Sequence, residues 1–419
     1  MTWTTLRVKH LASIRISNVD KLIKPNELPV RLINYNDVYH GDRIVPENEL
    51  MPATATASQV QTFGVRPGDV LITKDSETAD DIGVPAYVER SSPDMVCGYH
   101  LALLRPIPQK TIGRFLYWAL RSKYVNYQLS IGSTGITRHG LKLDVISQTR
   151  IKLPSLSQQR TIANFLDRET TRIDALISKK HRLIRLVDER KKLLAEEHIT
   201  ALRWSEQSVP IKHLVHESDA RYRSDLEPTM LSVSIHYGVV PRDSVSGKMS
   251  RSDNYFNYKV CRPGDIVINR MRAFQGGVGV VHYGGIVSPD YTVLRVGSRV
   301  SADYLHFVMR SSWFISEMTR RLRGIGSTDQ GQVRTPRINF TDLGLIRIPV
   351  PPRESQNELA LSLSHQEARL ARVVDLLAQQ LDALAERRQA LITGIVTGRL
   401  DISEVANRAL RPEQKFESP

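Results

Sequence analysis

The chain contains an internal repeat of about half its length. The segment Arg66–Asp69 (RPGD) recurs as Arg262–Asp265, and the segment Ile131–Thr134 (IGST) recurs as Ile325–Thr328. Two further matches are both separated by 197 positions, 150 to 347 and 189 to 386, so this part of the repeat contains no insertion or deletion. Solenoid repeats are only about 20–50 residues long. The sequence therefore predicts a duplicated module, each copy a domain followed by a long helix.

Length and composition are those of a globular protein with two or more domains. Of the 419 residues, 41% are hydrophobic and 24% are charged. No apolar run is long enough for a transmembrane helix, and the first residues lack an apolar signal core, which favours a cytoplasmic location. Cys97 and Cys261 have no Cys or His at metal-binding spacing nearby. The sequence thus predicts neither a disulfide nor a metal site.

The net charge of +14 is concentrated in the two repeated domains and the first helix. Residues 1–154 contain 19 Lys and Arg against 14 Asp and Glu, and residues 205–351 contain 19 against 13. Residues 352–419, in contrast, contain 9 against 10. Two separate basic surfaces suit a long polyanion such as duplex DNA. A basic protein without a nucleic-acid partner is the alternative that charge leaves open.

We call residues 1–154 the first head and residues 205–351 the second head. Each contains short β-rich runs broken by Pro and Gly, followed by a short helical pattern, which indicates a mixed α/β domain. In the RPGD element, Pro and Gly fit the two central positions of a type II turn. We therefore interpret this element as structural, with a buried strand directly after it.

Candidate DNA-binding residues lie after these strands and around the IGST segments. Lys74 and Arg270 both follow a predicted strand, Arg138 and Arg334 both follow an IGST segment, and each pair is 196 positions apart. Basic and hydroxyl side chains on loops suit contacts to phosphates and base edges, although solvated surface charge is the alternative for each residue. The DNA-binding candidates are Lys74, Ser133, Thr134, Arg138, Arg270, Arg272, Ser327, Thr328 and Arg334.

Residues 155–204 and 352–402 carry apolar side chains at spacings of three and four, with Ser157 as the candidate N-cap of the first helix. The predicted core positions of this helix are Ile162, Leu166, Ile173, Leu176, Leu183, Val187 and Leu194. Six of the seven positions that follow them by 197 are also apolar. This pattern predicts a coiled coil between the two helices, antiparallel if the modules are related by a twofold axis. The alternative is that each helix packs only on its own head.

Motifs for catalysis are missing from the sequence. It contains no Walker A segment and no Asn-Pro-Pro-Tyr-type motif for methyl transfer to an amino group. The acidic-x-Lys segment Glu189–Lys191, a candidate for a nuclease motif, lies on the first long helix, where a solvated helix face accounts for it. We therefore predict a chain that binds and positions, with no catalytic, cofactor-binding or metal-binding residue of its own.

Three segments resemble the specificity subunits of type I restriction–modification enzymes. They are Arg150–Arg160 (RIKLPSLSQQR), its counterpart Arg347–Gln356 and the helix end Glu386–Asp401. The resemblance covers the chain to about residue 402 and leaves the tail, 403–419, unassigned. It implies an α+β fold in which two similar mixed α/β target-recognition domains are separated by two long antiparallel coiled-coil helices with pseudo-twofold symmetry. The implied domains are the heads, 1–154 and 205–351, and the spacer helices, 155–204 and 352–402.

The resemblance also implies a function. Each head would read one half of a bipartite site in double-stranded DNA, and the helices would dock two methyltransferase subunits. Those partners would use S-adenosylmethionine, and restriction or translocase subunits would use ATP and Mg²⁺, so the chain itself would hold no cofactor. Two alternatives remain at this point. One is a coiled-coil scaffold whose basic heads bind RNA or another anion, and the other is the specificity subunit of a modification-only system.

Overall fold

A computed structural model describes residues 3–205, 207–224, 227–234, 238–242, 255–322, 337–402 and 405 of the chain. It divides into two compact units. The first unit comprises Met1–Lys180 and Gln379–Pro419, and the second comprises His181–Ala378. Each unit therefore contains one head together with a part of each long helix.

The described residues of the first unit form twelve strands and the helices that connect them, together with parts of the two long helices. Its strands are β1 (Thr4–Arg7), β2 (Ala12–Ile16), β3 (Leu28–Ile33), β4 (Arg43–Ile44), β5 (Met51–Ala55), β6 (Val70–Thr73), β7 (Asp75–Ser76), β8 (Pro85–Val88), β9 (Met95–Cys97), β10 (Leu101–Pro106), β11 (His139–Gly140) and β12 (Arg150–Leu153). Its helices are α1 (Tyr35–Tyr39), α2 (Ala57–Phe63), α3 (Gly113–Leu120), α4 (Lys123–Gly132), α5 (Leu143–Gln148) and the first part of α6 (Leu156–Ser205).

The second unit repeats much of this order. Its described strands are β13 (Ser208–Pro210), β14 (Val215–Ser218), β15 (Leu231–Ser234), β16 (Gly238–Pro241), β17 (Lys259–Cys261), β18 (Ile266–Asn269), β19 (Val278–Val280), β20 (Gly285–Val287), β21 (Tyr291–Val296) and β22 (Arg347–Pro349). Its described helices are α7 (Ala302–Arg310), α8 (Ser312–Thr319), α9 (Phe340–Leu343) and the first part of α10 (Arg353–Val396).

The main sheets of the two heads share the order of four strands, and the sheet of the first head has a fifth strand, β4, at its edge. The first head has the order β2-β10-β6-β8-β4, and the second has β14-β21-β18-β19. The strand that follows each RPGD turn, β6 or β18, lies inside its sheet and is buried along its whole length. These strands are apolar without alternation because both of their faces are covered. The predicted fold class, two similar mixed α/β domains with long helices, is confirmed.

Each head is closed where its long helix begins. β1 pairs antiparallel with β12, and β13 pairs antiparallel with β22. The first strand of a head thus lies beside its last strand, directly before α6 or α10. The two ends of each head are consequently held at the base of the helix that leaves it.

The helix α6 begins with a capping box. Ser155 Oγ accepts a hydrogen bond from Gln158 N at 3.3 Å, and the Gln158 side chain accepts one from Ser155 N at 3.1 Å. This reciprocal pattern satisfies donors that an isolated helix start leaves unpaired. Ser155 is therefore the N-cap. The prediction that Ser157 caps the helix was wrong, because Ser157 already lies inside its first turn.

A buried glutamine joins each head to its helix. Gln159 Oε1 accepts hydrogen bonds from Thr111 Oγ1 and Ile112 N, both at 3.0 Å. Gln356, which lies 197 positions later, accepts one from Ser301 N at 2.7 Å. The amide groups of both residues also donate to two backbone carbonyls of their own unit. Both side chains are fully buried, and each supplies hydrogen-bond partners to backbone groups where the head meets its helix.

The two long helices pair antiparallel. In the first unit, Arg388 Nε lies 2.9 Å from Asp174 Oδ1, and Lys180 donates to Gln380. In the second unit, residues near the end of α6 share a hydrophobic cluster with residues near the start of α10. Residue numbers thus rise along one helix as they fall along the other. The prediction of an antiparallel coiled coil is confirmed, and packing of each helix on its own head alone is excluded.

The core positions of the coiled coil differ in part from the predicted ones. Ile162, Leu166, Ile173 and Leu194 are buried as expected. Leu176 and Leu183, however, are 47% and 48% exposed, so these two predictions were wrong. Between Ile173 and Leu194, the less exposed positions of α6 are instead Asp174, Ile177, Lys180, Ile184, Val187 and Lys191. Apart from Asp174, these positions follow Ile173 in alternating steps of four and three, which is the heptad spacing of a coiled coil.

The described helices include two of more than 40 residues, α6 and α10. In the part of the chain that the structure describes, none is apolar enough over a sufficient length to cross a membrane.

Candidate nucleic-acid interface

The RPGD turns place the residues that follow β6 and β18. Gly68 and Gly264 adopt φ angles of 95° and 87°, the left-handed conformation that a type II turn requires at its third position. Asp69 accepts a hydrogen bond from Arg66 N at 2.8 Å, and Asp265 accepts one from Arg262 N at 2.9 Å. The structural interpretation of RPGD is confirmed. The turns fix where each buried strand begins and therefore where it ends.

In the first head, the strand β6 ends directly before Lys74. Lys74 N donates to His100 O at 3.0 Å, and Leu141 N donates to Lys74 O at 2.7 Å. The side chain of Lys74 is 24% exposed, and its Nζ lies 3.3 Å from Asp75 Oδ2. The backbone of Lys74 is thus held on both sides while its ammonium group reaches the surface.

The IGST segment of the first head lies beside this strand end. Thr134 N donates to Gly140 O at 3.1 Å, Gly140 N donates to Thr134 O at 2.9 Å, and β11 pairs with β7. A tight loop closes between Thr134 and Gly140, and Arg138 is exposed on it. Gly135 has a φ of 137°, and a Cβ there would lie 1.9 Å from Arg138 O, so only glycine fits.

These contacts bring four predicted residues to one edge of the first head. Lys74 lies at the end of β6, and Ser133, Thr134 and Arg138 lie on the end of α4 and the loop that follows it. The pairing of β11 with β7 connects the two segments. The sequence had placed these residues on loops, and the sheet decides that the loops are neighbours. Whether the four residues bind DNA stays a prediction.

The structure adds Asp75 and His100 to this edge. His100 Nδ1 lies 2.6 Å from Asp75 Oδ2, the oxygen that Lys74 also approaches. The ring of Tyr99 lies against the imidazole, with 3.8 Å between the ring centroids. We call Lys74, Asp75 and His100 the first-head triad. Sequence reasoning missed the two added residues because His100 is 25 positions away from Asp75 and belongs to no repeated motif.

Two tyrosines of α1 border the same edge. The pKa of Tyr35 is raised above its usual value, mainly by burial and then by the charge of Asp81. A hydrogen bond to Ser76 and the charge of Arg138 act in the opposite direction. The ring of Tyr39 stacks on Tyr35 at 5.3 Å between centroids. Its hydroxyl donates to Asp81, which raises the pKa of Tyr39 to about 12. Tyr39 consequently stays a neutral hydrogen-bond donor at physiological pH.

In the second head, the residue at the end of the strand is bound internally. Arg270 Nε donates to Ile338 O at 3.2 Å, and its guanidinium also donates to the side chain of Asn339. Ile338 follows Leu141 by 197 positions, so both heads connect the residue after the strand to the same place. The first head makes this connection through its backbone and the second through a side chain.

The other candidates of the second head are divided between described and undescribed residues. Arg272 is exposed, and its carbonyl accepts hydrogen bonds from Gln275 N at 3.0 Å and Gly277 N at 2.9 Å. Its side chain is thus presented by a tight turn. Ser327, Thr328 and Arg334 lie outside the described residues.

A cavity of about 340 Å³ lies in the first unit between the head and the helices. Its charged groups are mutually paired. Arg388 contacts Asp174 at 2.9 Å and Asp42 at 3.6 Å, and Asp167 accepts from Trp118 Nε1 at 2.8 Å. We assign these groups to the junction between the head and its helices. Among the described residues, no three His, Cys, Asp or Glu side chains are grouped in a way that would hold a metal ion.

Residues 55–185 match the family model of the type I restriction modification DNA specificity domain. The matched segment contains the strand end at Lys74, the IGST loop and the start of α6. It therefore includes the edge at which the structure assembles the candidate residues of the first head.

Known proteins resemble the chain over most of its length. The type I restriction enzyme MjaVIII specificity subunit of Methanocaldococcus jannaschii is 22% identical over 321 residues, which cover 70% of this chain and 71% of the relative. One similar structure, from work on complex assembly and conformational transition of the type I R-M system, has a TM-score of 0.66, 18% identity and coverage of 95% and 98%. The HsdS subunit from Thermoanaerobacter tengcongensis has a TM-score of 0.51, 17% identity and coverage of 95% and 97%.

Proposed function

Because residues 55–185 match the type I DNA specificity domain and the chain is similar to a type I specificity subunit over 70% of its length, we propose that it is the DNA-recognition subunit of such a complex. Each head reads one half of a bipartite DNA site. The antiparallel helices α6 and α10 hold the two readers and set the length of the unread spacer. The chain determines which DNA sequence is bound, and its partner subunits catalyse the reactions on that DNA.

The repeated strand end carries this proposal. In both heads, an RPGD turn and a buried strand lead to a basic residue, Lys74 or Arg270, that contacts a residue further along the chain than the IGST segment, Leu141 or Ile338. Two copies of one basic module, joined by a paired helical spacer, suit two separated contacts on one duplex. The basic groups that reach the surface near these strand ends are Lys74 in the first head and Arg272 in the second, and Lys and Arg side chains bind both phosphates and guanine edges. The net charge of +14 supports the same partner.

Methyltransferase subunits are the proposed partners of the helices. Outside the coiled-coil core, Leu176, Leu186 and Leu193 of α6 are 47–50% exposed, and Leu361 and Leu376 of α10 are 59% and 57% exposed. Rows of exposed leucines on paired helices favour burial by another protein. Because the module is duplicated, we propose one methyltransferase subunit for each copy, two in all. The restriction or translocase subunits join the same complex.

The cofactors belong to these partners in our proposal. S-adenosylmethionine binds the methyltransferase subunits, and ATP and Mg²⁺ bind the restriction subunits. The chain itself is a non-catalytic component that acts on DNA only through the complex. Since its substrate is the cell's own DNA, we place it in the cytoplasm.

The test is methylation with and without a partner. The purified chain is incubated with S-adenosylmethionine and plasmid DNA, alone or with the methyltransferase subunit of its own system. We expect methylation only with the partner, and mapping of the methylated adenines should give a bipartite motif. Methylation by the chain alone, or a continuous motif, contradicts the proposal. Preferential binding of RNA would instead favour a scaffold with an RNA partner.

A further inference from the structure

We infer that Asp75 is a positioning residue of the first head, which fixes Lys74 and His100 so that both present hydrogen-bonding groups to DNA bases. The inference rests on the proposed function and names the specificity-determining triad of one half-site. Asp75 acts through its two neighbours and does not contact the DNA itself.

The first argument is the burial and sharing of the carboxylate. Asp75 Oδ2 lies 2.6 Å from His100 Nδ1 and 3.3 Å from Lys74 Nζ. The side chain of Asp75 is 16% exposed, against 24% for Lys74 and 25% for His100. The carboxylate is thus the least accessible group of the first-head triad. A base that approaches this edge meets the two outer groups more readily.

The second argument is that three backbone segments hold the triad. Lys74 and Asp75 follow β6, His100 precedes β10, and β10 pairs with β6. The hydrogen bond from Lys74 N to His100 O, at 3.0 Å, keeps these segments in register. Asp75 also pairs with Gly140 in the β7–β11 ladder. The carboxylate is therefore fixed by secondary structure, which is the precision that a binding site requires.

The third argument concerns the hydrogen-bonding pattern that the triad presents. A carboxylate only accepts hydrogen bonds, so the proton of a neutral His100 must be on Nδ1, and Nε2 is left as an acceptor. Lys74 Nζ carries three donors, of which Asp75 takes one. The result is an acceptor beside a donor. A lysine donor suits guanine O6 or N7, and an acceptor suits the exocyclic amino group of adenine or cytosine.

Tyr99 supports the orientation of the imidazole. Its ring centroid is 3.8 Å from that of His100, with 44° between the ring planes, and Tyr99 is 37% exposed. This contact restricts rotation of the histidine. The exposed part of the tyrosine adds an apolar surface that suits a thymine methyl group.

The described part of the second head contains no equivalent triad. Met271 occupies the position that Asp75 occupies in the first head, and the guanidinium of Arg270 is bonded to Ile338 and Asn339. The positioning role of Asp75 therefore applies to one half-site only. This restriction makes the second half-site an internal control.

The experiment uses the chain in complex with its methyltransferase subunit and a DNA library with randomised half-sites. The variants are Asp75→Ala, Asp75→Asn, Lys74→Ala, His100→Ala and the double variant Lys74→Ala/Asp75→Ala. The matched control is Glu49→Ala, which removes an exposed carboxylate from the same head. Methylated motifs, duplex affinity and thermal unfolding are measured for each complex.

We expect Asp75→Ala to lower discrimination at one or two positions of a single half-site by about tenfold, as for the loss of a directional base contact. The second half-site should be unchanged. The double variant should be no worse than Lys74→Ala at the position that Lys74 reads, because Asp75 acts there through Lys74. Asp75→Asn keeps a hydrogen-bond acceptor but loses the charge, so it should lower discrimination at this half-site less than Asp75→Ala does. It also keeps the test valid if the alanine variant unfolds.

Two results would overturn the inference. If Asp75→Ala and Asp75→Asn fold and leave both half-sites unchanged, Asp75 has no positioning role. If the losses of Lys74→Ala and Asp75→Ala add in the double variant at the position that Lys74 reads, Asp75 acts on that position independently of Lys74. Failure of the proposed function looks different, because the wild-type complex would then methylate no bipartite motif at all.

Discussion

In the first head the central strand ends at Lys74, whose side chain reaches the surface beside Asp75 and His100, whereas in the second head it ends at Arg270, whose side chain is bonded inside the head. The supporting turns are nevertheless the same, because both strands follow an RPGD turn with a left-handed glycine. Within one duplicated protein, the residues that support the strand are retained, and the residues at its end have diverged. We therefore expect the two half-sites to be read with different chemistry.

The junctions between heads and helices also combine a retained backbone arrangement with side chains that differ between the two units. In the first unit, Lys123 N, at the start of α4, donates to Thr393 Oγ1 of α10 at 3.1 Å. In the second unit, Ser312 N, at the start of α8, donates to Glu196 Oε2 of α6 at 2.7 Å. The start of a short helix is thus held by an oxygen of a long helix in both cases, although the residue that supplies the oxygen differs. The backbone requirement is constant, and several side chains satisfy it.

The aromatic pairs at these junctions have diverged further. Tyr117 and Trp118 of α3 pack edge to face, as do His306 and Phe307 of α7. Burial raises the pKa of Tyr117, and burial together with the charge of Arg310 lowers the pKa of His306 to about 3. Both rings are therefore neutral at physiological pH. A histidine replaces a tyrosine here because each contributes an uncharged ring to the interior.

Exchange of a head is the largest predicted change. Replacing residues 1–154 with the head of a relative should replace one half-site of the methylated motif completely and leave the other half-site intact. The reason is that each head has its own core and its own edge residues. The measurement is the genomic methylation motif of cells that carry the exchanged subunit. A simultaneous change in both half-sites would show that the heads do not read independently.

Lengthening the spacer should move the half-sites without changing them. We propose inserting seven residues after Lys180 and seven after Gln379, so that both helices keep the heptad register. The insertion adds about 10 Å at ~1.5 Å per residue, or about three base pairs at ~3.4 Å each. The mapped motif should keep both half-sites and gain a longer spacer. Insertion into one helix alone is the control, and it should destabilise the pair.

An active complex whose spacer is unchanged after the double insertion would contradict the role of the helices as the determinant of distance.

Loss of either buried glutamine should destabilise its own unit. Gln159→Leu and Gln356→Leu each leave buried backbone groups without partners, which should lower the free energy of unfolding by roughly 3 kcal/mol. Gln379→Leu, at an exposed position of α10, is the control and should have little effect. Calorimetric unfolding of the purified chain measures all three. A loss confined to one of the two glutamines would mean that the junctions are not energetically equivalent.

The smallest predicted effects separate Lys74 from Arg270. Arg270→Ala removes internal hydrogen bonds and should cost about 1–2 kcal/mol of folding stability. Lys74→Ala removes a partly exposed ion pair and should cost less than about 1 kcal/mol, while weakening DNA binding by the complex. Thermal unfolding and a DNA titration on both variants test this. Equal losses of folding stability in the two variants would contradict the difference that we assign to these residues. A loss of DNA affinity in Arg270→Ala alone would reverse their roles.

The sequence determined the plan of this protein. Repeated segments at offsets of 194 to 197 positions predicted two modules, Pro and Gly predicted the RPGD turns, and apolar spacing predicted paired helices. These features depend on residues that are close along the chain, and local backbone preferences act over the same range. Even here the packed face was partly misjudged, because Leu176 and Ile177 are adjacent apolar residues. In the structure Ile177 is partly buried whereas Leu176 remains 47% exposed, a difference that apolar spacing alone does not predict.

The tertiary structure alone decided the composition of the candidate site. Lys74 and Arg138 were foreseen as separate loop residues, but the pairing of β7 with β11 makes their loops neighbours. Asp75 and His100 meet because β10 lies beside β6, and nothing in their local sequence encodes that contact. The equivalent positions Lys74 and Arg270 likewise look alike in the sequence. Their different surroundings follow from long-range packing, which brings Ile338 and Asn339 within reach of one side chain and leaves the other at the surface.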